Sequence, residues 1–153
     1  IYDIIINLKE KQMKRILFVL LIFNFTVANA QPDADQKVLQ VLKLQEQDWN
    51  RGDINGFMQG YWNSDSLQFV SKNGVTNGWQ NTLLNYKKTY PDTASMGTLH
   101  FDILDIKRLS VIYFYVIGKW QLSRNSLPNI SGHFTLLFKK IKNKWVIVTD
   151  HTS

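Results

Sequence analysis

The segment Gln45–Trp62 constrains the fold more than any other part of the sequence. Apolar residues recur with helical spacing up to Trp49, Gly52 is suited to end that helix, and Asp53 is suited to cap a second one. The second helix is short and ends in the aromatic pair Tyr61–Trp62. A helix, a tight corner and an aromatic-rich helix ahead of a run of strands predict a cone-shaped sheet wrapped around a pocket.

The hydrophobic periodicity predicts helices first and strands afterwards, which indicates an α+β fold with helices packed on one face of an antiparallel sheet. The predicted helices span Gln36–Asn50, Ile54–Trp62 and Gly78–Tyr90. A short strand over Ser66–Ser71 and a turn at Asn73–Gly74 separate the second helix from the third. Four strands rich in β-branched and aromatic residues follow, at Thr98–Arg108, Ser110–Arg124, Ile130–Lys142 and Lys144–Thr152.

The first thirty residues are predicted to lie outside this domain. Met13–Ala30 has a basic start, an apolar run of about ten residues and a small-x-small ending, which is typical of a cleaved secretory signal peptide. The apolar run is shorter than the roughly 20 residues that a membrane-spanning helix needs. Residues 1–12 are interpreted as an upstream extension, and residues 31–153 as a single domain that is periplasmic or secreted.

Composition narrows the range of partners. The chain carries a formal net charge of +6 and no cysteine. The lysines at 139, 140, 142 and 144 surround one predicted hairpin, and we interpret them as solvated charges that protect a sheet edge. Export argues against a nucleic-acid partner, so none is expected, and no membrane partner is expected after signal cleavage.

Several features together resemble the nuclear transport factor 2-like superfamily, and within it the SnoaL-like and related exported bacterial domains of unknown function. They are the Arg51–Gly52–Asp53 corner, Phe57, the Tyr61–Trp62 pair, the helix that begins at Gly78–Trp79, and the four closing strands. The resemblance implies a cystatin-like roll with a strongly bent sheet, a hydrophobic cavity and often a homodimer formed through the sheet. Members include isomerases, cyclases, epoxide hydrolases and non-catalytic binding domains, so the fold leaves function open.

The steroid isomerase branch of that family provides a specific test. Its chemistry needs a carboxylate base, a tyrosine and a protonated aspartic acid. The resemblance places Gln45 at the tyrosine position, Val70 near the base and Thr135 at the acidic donor. None of the three residues matches, so the sequence argues against this reaction.

A different polar pair is predicted on the last two strands. If Lys142–Asn143 is the hairpin loop, Ile141 faces Lys144, and His133, Thr135, Asp150 and Thr152 share one face of the sheet. His133 and Asp150 are then diagonal neighbours, and a carboxylate beside an imidazole suits general acid–base catalysis. The alternative is a structural hydrogen bond between the two side chains.

The aromatic residues are numerous for one domain. Aromatic side chains that carry one polar group, such as Tyr and Trp, would suit a flat, largely apolar ligand if they line a cavity. Core packing is the alternative for each of them. Gly118, beside Trp120, is interpreted as leaving space for that ligand. No metal site or cofactor is predicted. The predicted ligand-binding residues are Trp49, Tyr61, Trp62, Phe69, Trp79, Tyr86, Trp120, Thr135 and Thr152.

Three functional hypotheses follow. The first is an exported domain that binds a small apolar or aromatic molecule. The second is a lyase, isomerase or hydrolase that uses His133 with Asp150. The third is a non-catalytic module that dimerises through its sheet.

Overall fold

The computed structural model describes residues 33–153, and the segment Pro32–Ser153 forms a compact unit of its own. The predicted upstream extension at residues 1–12 and the predicted signal peptide Met13–Ala30 lie outside the described residues. No helix among residues 33–153 is long and apolar enough to cross a membrane.

The corner between the first two helices forms where Gly52 and Asp53 predict it, although the first helix begins two residues before the predicted Gln36. Helix α1 spans Ala34–Asn50, and the Asp53 side chain caps α2, Ile54–Phe57, by accepting a hydrogen bond from Gly56 N at 2.7 Å. The predicted continuation of this second helix to Trp62 is wrong, because a 3₁₀ turn over Met58–Gly60 ends it and Tyr61 is extended. Helix α3 spans Trp79–Thr89, and the short helix α4, Thr93–Met96, was not predicted.

Six strands form one sheet in the order β2-β1-β6-β5-β4-β3. The expectation of a wholly antiparallel sheet is wrong in one pair, since β1 runs parallel to β6. The strand bounds are β1 Gln68–Ser71, β2 Gly74–Asn77, β3 Thr98–Arg108, β4 Tyr113–Ser123, β5 Ile130–Ile141 and β6 Lys144–Thr152.

The predicted hairpin loop between β5 and β6 is confirmed. Lys142 and Asn143 have φ values of 47° and 64°, which are the positive values that a tight two-residue turn requires. Ile141 pairs with Lys144 at the base of this turn.

The helices cover one face of the sheet, which we call the inner face, and the buried core lies between them. Alternate residues of β4 and β5 supply much of this core, including Phe114, Val116, Leu136 and Phe138. The opposite, outer face is half-buried to exposed. It carries residues such as Tyr115, Ile117 and Leu137.

Helix α1 also protects the free edge of the sheet at β3. The Asn50 side chain exchanges two hydrogen bonds with the backbone of Leu99, at 2.7 and 3.0 Å, and Glu46 accepts one from Phe101 N at 2.8 Å. Edge strands with unpaired backbone groups are prone to pair with other chains. These side chains therefore satisfy an edge that would otherwise be open.

Candidate functional site

The predicted His133–Asp150 pair does not form. The register of β5 and β6 shifts after Phe138↔Ile147, so that Leu137 pairs with Thr149 and Leu136 with Asp150. One extra residue on β6 makes a bulge, and a shift of one residue moves every later side chain to the other face. Asp150 is therefore buried on the inner face, whereas His133 is exposed on the outer face.

Asp150 instead pairs with a tyrosine inside the domain. The Tyr61 hydroxyl donates a hydrogen bond to Asp150 Oδ2 at 2.7 Å, and the Tyr86 hydroxyl lies 3.4 Å from the Tyr61 hydroxyl. When Asp150 is ionised, the Tyr61 proton is committed to the carboxylate, so Tyr86 is then the donor in the second contact. The other carboxyl oxygen, Asp150 Oδ1, is buried and has no hydrogen-bond partner in the described part of the chain.

Burial sets the protonation of this group. Asp150 is only 4% exposed, and desolvation raises the pKa of its carboxyl to about 7, against a smaller opposing effect of the Tyr61 hydrogen bond. Burial, together with the neighbouring Asp150 charge, raises the pKa values of Tyr61 and Tyr86 well above that of free tyrosine. Both tyrosines therefore stay protonated as donors, while Asp150 populates both states near neutral pH.

Distant elements bring these groups together. Tyr61 follows the 3₁₀ turn and bridges to Ile147 of β6, an arrangement fixed by the hydrogen bond from Trp62 N to Ile147 O at 2.9 Å. Phe69 of β1 lies beside Asp150 across the parallel strand pair. Its ring contacts that of Tyr86 at a centroid distance of 5.6 Å.

Two of the predicted ligand-binding aromatics have structural contacts. Trp49 Nε1 donates to Met96 O at 3.2 Å, and Trp79 Nε1 donates to Met58 O at 2.9 Å. The Trp49 ring also packs edge-on against Phe57, at a centroid distance of 5.1 Å. These indole N–H groups are occupied by the backbone and are not free for a ligand.

Trp120 differs, because its Nε1 is buried without a hydrogen-bond partner among the described residues. It lies on the inner face of β4, opposite Phe101 on β3. The interpretation of Gly118 as ligand space is wrong. A side chain there would meet the Phe134 ring at 2.3 Å and Asp102 O at 2.8 Å, so the glycine makes room for Phe134.

The other predicted residues are dispersed. Thr135 lies on the outer face of β5 and pairs with His151, and the bulge in β6 places Asp150 on the other face. Thr152 pairs with Phe134 and is half-buried, and its hydroxyl donates to His133 O at 3.5 Å. Trp62 is half-buried but does not belong to the hydrophobic core cluster.

Two clefts open elsewhere on the domain. One of about 500 Å³ lies between α1 and the β5–β6 turn, and its lining includes Val41, Arg51 and Lys144. The other, of about 340 Å³, lies beside α4 and includes Thr93 and Ser123. Asp150 lines neither cleft. Within residues 33–153, no three His, Asp or Glu side chains are grouped as metal ligands.

The comparison with solved structures gives a clear family. A crystal structure described as an NTF-2 like protein of unknown function from Shewanella oneidensis MR-1 is 47% identical, with a TM-score of 0.74. The match covers 77% of this chain and 97% of that one. This chain belongs to the nuclear transport factor 2-like superfamily. The predicted family and α+β fold are thus confirmed.

More distant structures share the fold alone. A nuclear transport factor 2-like superfamily protein from Salmonella enterica is 17% identical with a TM-score of 0.62, covering 78% of this chain and 89% of that one. A ketosteroid isomerase-like protein from Erwinia carotovora atroseptica is 13% identical with a TM-score of 0.63, covering 80% and 97%. No family model matches the sequence. No curated protein matches it either.

Proposed function

We propose that this superfamily member is an exported domain that binds a small, largely apolar or aromatic molecule against the inner face of its sheet. Asp150 is the polar anchor of the site. The observation that carries the proposal is the unpaired, buried Asp150 Oδ1. A buried polar atom without a partner is costly, so its persistence in a folded domain calls for an explanation. A ligand that supplies the missing hydrogen bond provides one.

The surroundings define the ligand. Half-buried aromatic side chains adjoin the core, and two of them, Phe69 and Tyr86, lie beside Asp150 and Tyr61 respectively. They favour a flat, apolar molecule over a sugar or a polyanion. The ionised carboxylate accepts from a ligand hydroxyl or N–H group, and the protonated carboxyl donates to a carbonyl. These aromatic side chains are Phe69, Tyr86, Tyr90, Phe101 and Trp120.

A panel of phenols, indoles and aromatic ketones tests the proposal through thermal shift followed by calorimetric titration. We expect the phenols or the indoles to bind the wild type and to bind Asp150→Asn about ten to a hundred times more weakly, because a hydrogen bond to a charged group contributes about 1.5–3 kcal/mol. His133→Ala, on the outer face, is the matched control and should bind normally. Equal losses in both variants, or no binding by any class, would contradict the proposal.

An acid–base enzyme is the second candidate, with Tyr61 replacing His133 as the partner of Asp150. A carboxyl group with a pKa of about 7 is well placed both to take and to give a proton near neutral pH. The same variants, assayed on ketones, epoxides and lactones, separate the two functions. Turnover that changes near pH 7 and disappears in Asp150→Asn but not in His133→Ala would indicate catalysis.

A homodimer through the outer face remains our proposal for quaternary structure. Val146 and Leu137 are half-buried there, whereas an antiparallel sheet with one face in water usually carries polar residues on it. We expect light scattering to give a dimer mass and Ile117→Asp, at the centre of that face, to give a monomer. A monomer mass for the wild type at high micromolar concentration would contradict the proposed homodimer.

A further inference from the structure

The turn between β3 and β4 exposes three large apolar side chains. Leu109 is 53% exposed, Val111 72% and Ile112 41%, with Ser110 between the first two. None of them belongs to the hydrophobic core cluster. We call the segment Leu109–Ile112 the apolar tip. Contiguous exposed apolar residues of this kind mark an interaction site more often than a chance surface.

The backbone of the apolar tip is well fixed. Leu109 N and Ser110 N both donate to Tyr113 O, at 3.0 and 3.2 Å, and Ile112 N donates to Ser110 Oγ at 3.2 Å. Lys140 N of β5 donates to Ile112 O at 2.8 Å, which ties the tip to the neighbouring hairpin. The apolar side chains are therefore presented by an ordered turn.

Basic residues surround the apolar tip. The β3–β4 and β5–β6 turns lie at the same end of the sheet, because β4 and β5 are antiparallel neighbours. No Asp or Glu occurs in the sequence between Asp105 and Asp150. In the adjoining cleft Asp48 is paired with Arg51 at 2.5 Å, and Lys37 adds a further charge. The basic residues of the two hairpins at this end are Lys107, Arg108, Lys139, Lys140, Lys142 and Lys144.

We propose that the apolar tip and its basic surround dock on the surface of an anionic lipid bilayer. Apolar side chains enter the boundary between headgroups and acyl chains, and lysines and arginines at the same depth contact anionic headgroups. This inference replaces the expectation that the domain has no membrane partner, and it does not depend on the proposed ligand site.

Charge complementarity selects this occupant over two others. A second copy docked tip to tip would bring two basic surfaces together, which is unfavourable. A nucleic acid would bind the basic residues through its phosphates, which dominate such binding. It would leave the three exposed aliphatic side chains without an apolar partner. An anionic bilayer, with charged headgroups above an apolar layer, matches both features.

Absence of cysteine makes a direct test simple. The sequence contains no Cys, so Val111→Cys can be labelled at one site with an environment-sensitive fluorophore. Val75→Cys is the matched control, because Val75 is 59% exposed and β2 lies at the opposite edge of the sheet. The compact unit Pro32–Ser153, with its own core, is used so that the apolar run near the start of the sequence does not bind vesicles itself.

With vesicles of phosphatidylglycerol and phosphatidylcholine, we expect the label at Val111 to shift to shorter wavelength and the label at Val75 to stay unchanged. Pure phosphatidylcholine vesicles should give little shift. Unshifted labels at both positions would overturn the proposal, as would equal shifts at both. A shift at Val111 that grows with protein concentration without vesicles would show self-association and overturn it too.

Lysine variants test the electrostatic half of the proposal. One basic residue near an anionic surface contributes about 1 kcal/mol, so Lys140→Gln and Lys142→Gln should each lower vesicle affinity about fivefold in low salt. Lys119→Gln removes the same charge from the exposed middle of β4 and should change affinity little. Equal losses in all three variants would show attraction by net charge alone and would contradict docking through this end.

Discussion

Replacing Asp150 with Asn is expected to remove a large pH dependence from the free energy of unfolding. The Asp150 pKa rises from 3.8 to about 7 on folding. The native state therefore binds more protons than the unfolded state between these values, and stability is highest below the unfolded pKa and falls as pH rises through about 7. A shift of this size corresponds to roughly 4 kcal/mol, at about 1.4 kcal/mol for each pKa unit.

Asn keeps an acceptor for the Tyr61 hydroxyl but cannot ionise, so Asp150→Asn should gain stability at alkaline pH and change little at acid pH. Urea denaturation at several pH values measures this directly. Asp102→Asn, at an exposed position of β3, is the matched control. Equal pH slopes in the wild type and Asp150→Asn would show that this carboxyl is not buried as described.

Gly118→Ala is expected to destabilise the domain by about 2–3 kcal/mol. The new methyl group meets the Phe134 ring and the Asp102 carbonyl, and overpacking in a filled core forces side chains or backbone to move. Chemical denaturation gives the value, with Lys119→Ala on the exposed face as control.

A second substitution identifies the cause of that loss. Phe134→Leu shortens the ring that occupies the space over Gly118, so the double variant should lose less than the sum of the two single variants. Additive losses would mean that the backbone contact with Asp102 O, rather than the ring, limits the site. A Gly118→Ala variant as stable as the wild type would restore the interpretation of this glycine as open space.

The sequence was sufficient for most of the architecture because the relevant signals are local. Asp53 as a cap, Gly52 as a helix end and Lys142–Asn143 as a turn depend on a few neighbouring residues, and the bounds of β3 and β6 agree with the prediction. The parallel pairing of β1 with β6 is not predictable from the sequence, because the residue pattern of a four-residue strand does not indicate which distant strand it pairs with.

The site was only half predictable, for a similar reason. The sequence indicates both Tyr61 and Asp150 as site residues, but their contact joins residues 89 positions apart. The predicted contact between Asp150 and His133 depends on regular pairing of β5 with β6. No residue type in β6 indicates that a bulge interrupts this pairing. The burial of Asp150 is seen only in the structure, and once it is known, the need for a hydrogen-bond donor follows, because a buried carboxyl is costly without one.

The bulge in β6 has a consequence for how this domain can change in evolution. Loss of Val148 would remove the bulge and leave Asp150 paired with Leu136 on the inner face. If the full strand instead paired without the bulge, His151 would turn inward and Asp150 outward, because side chains alternate along a strand. The bulge therefore determines that a carboxyl, and not an imidazole, faces the interior, and aligned residues in this strand correspond in space only where the bulge is shared.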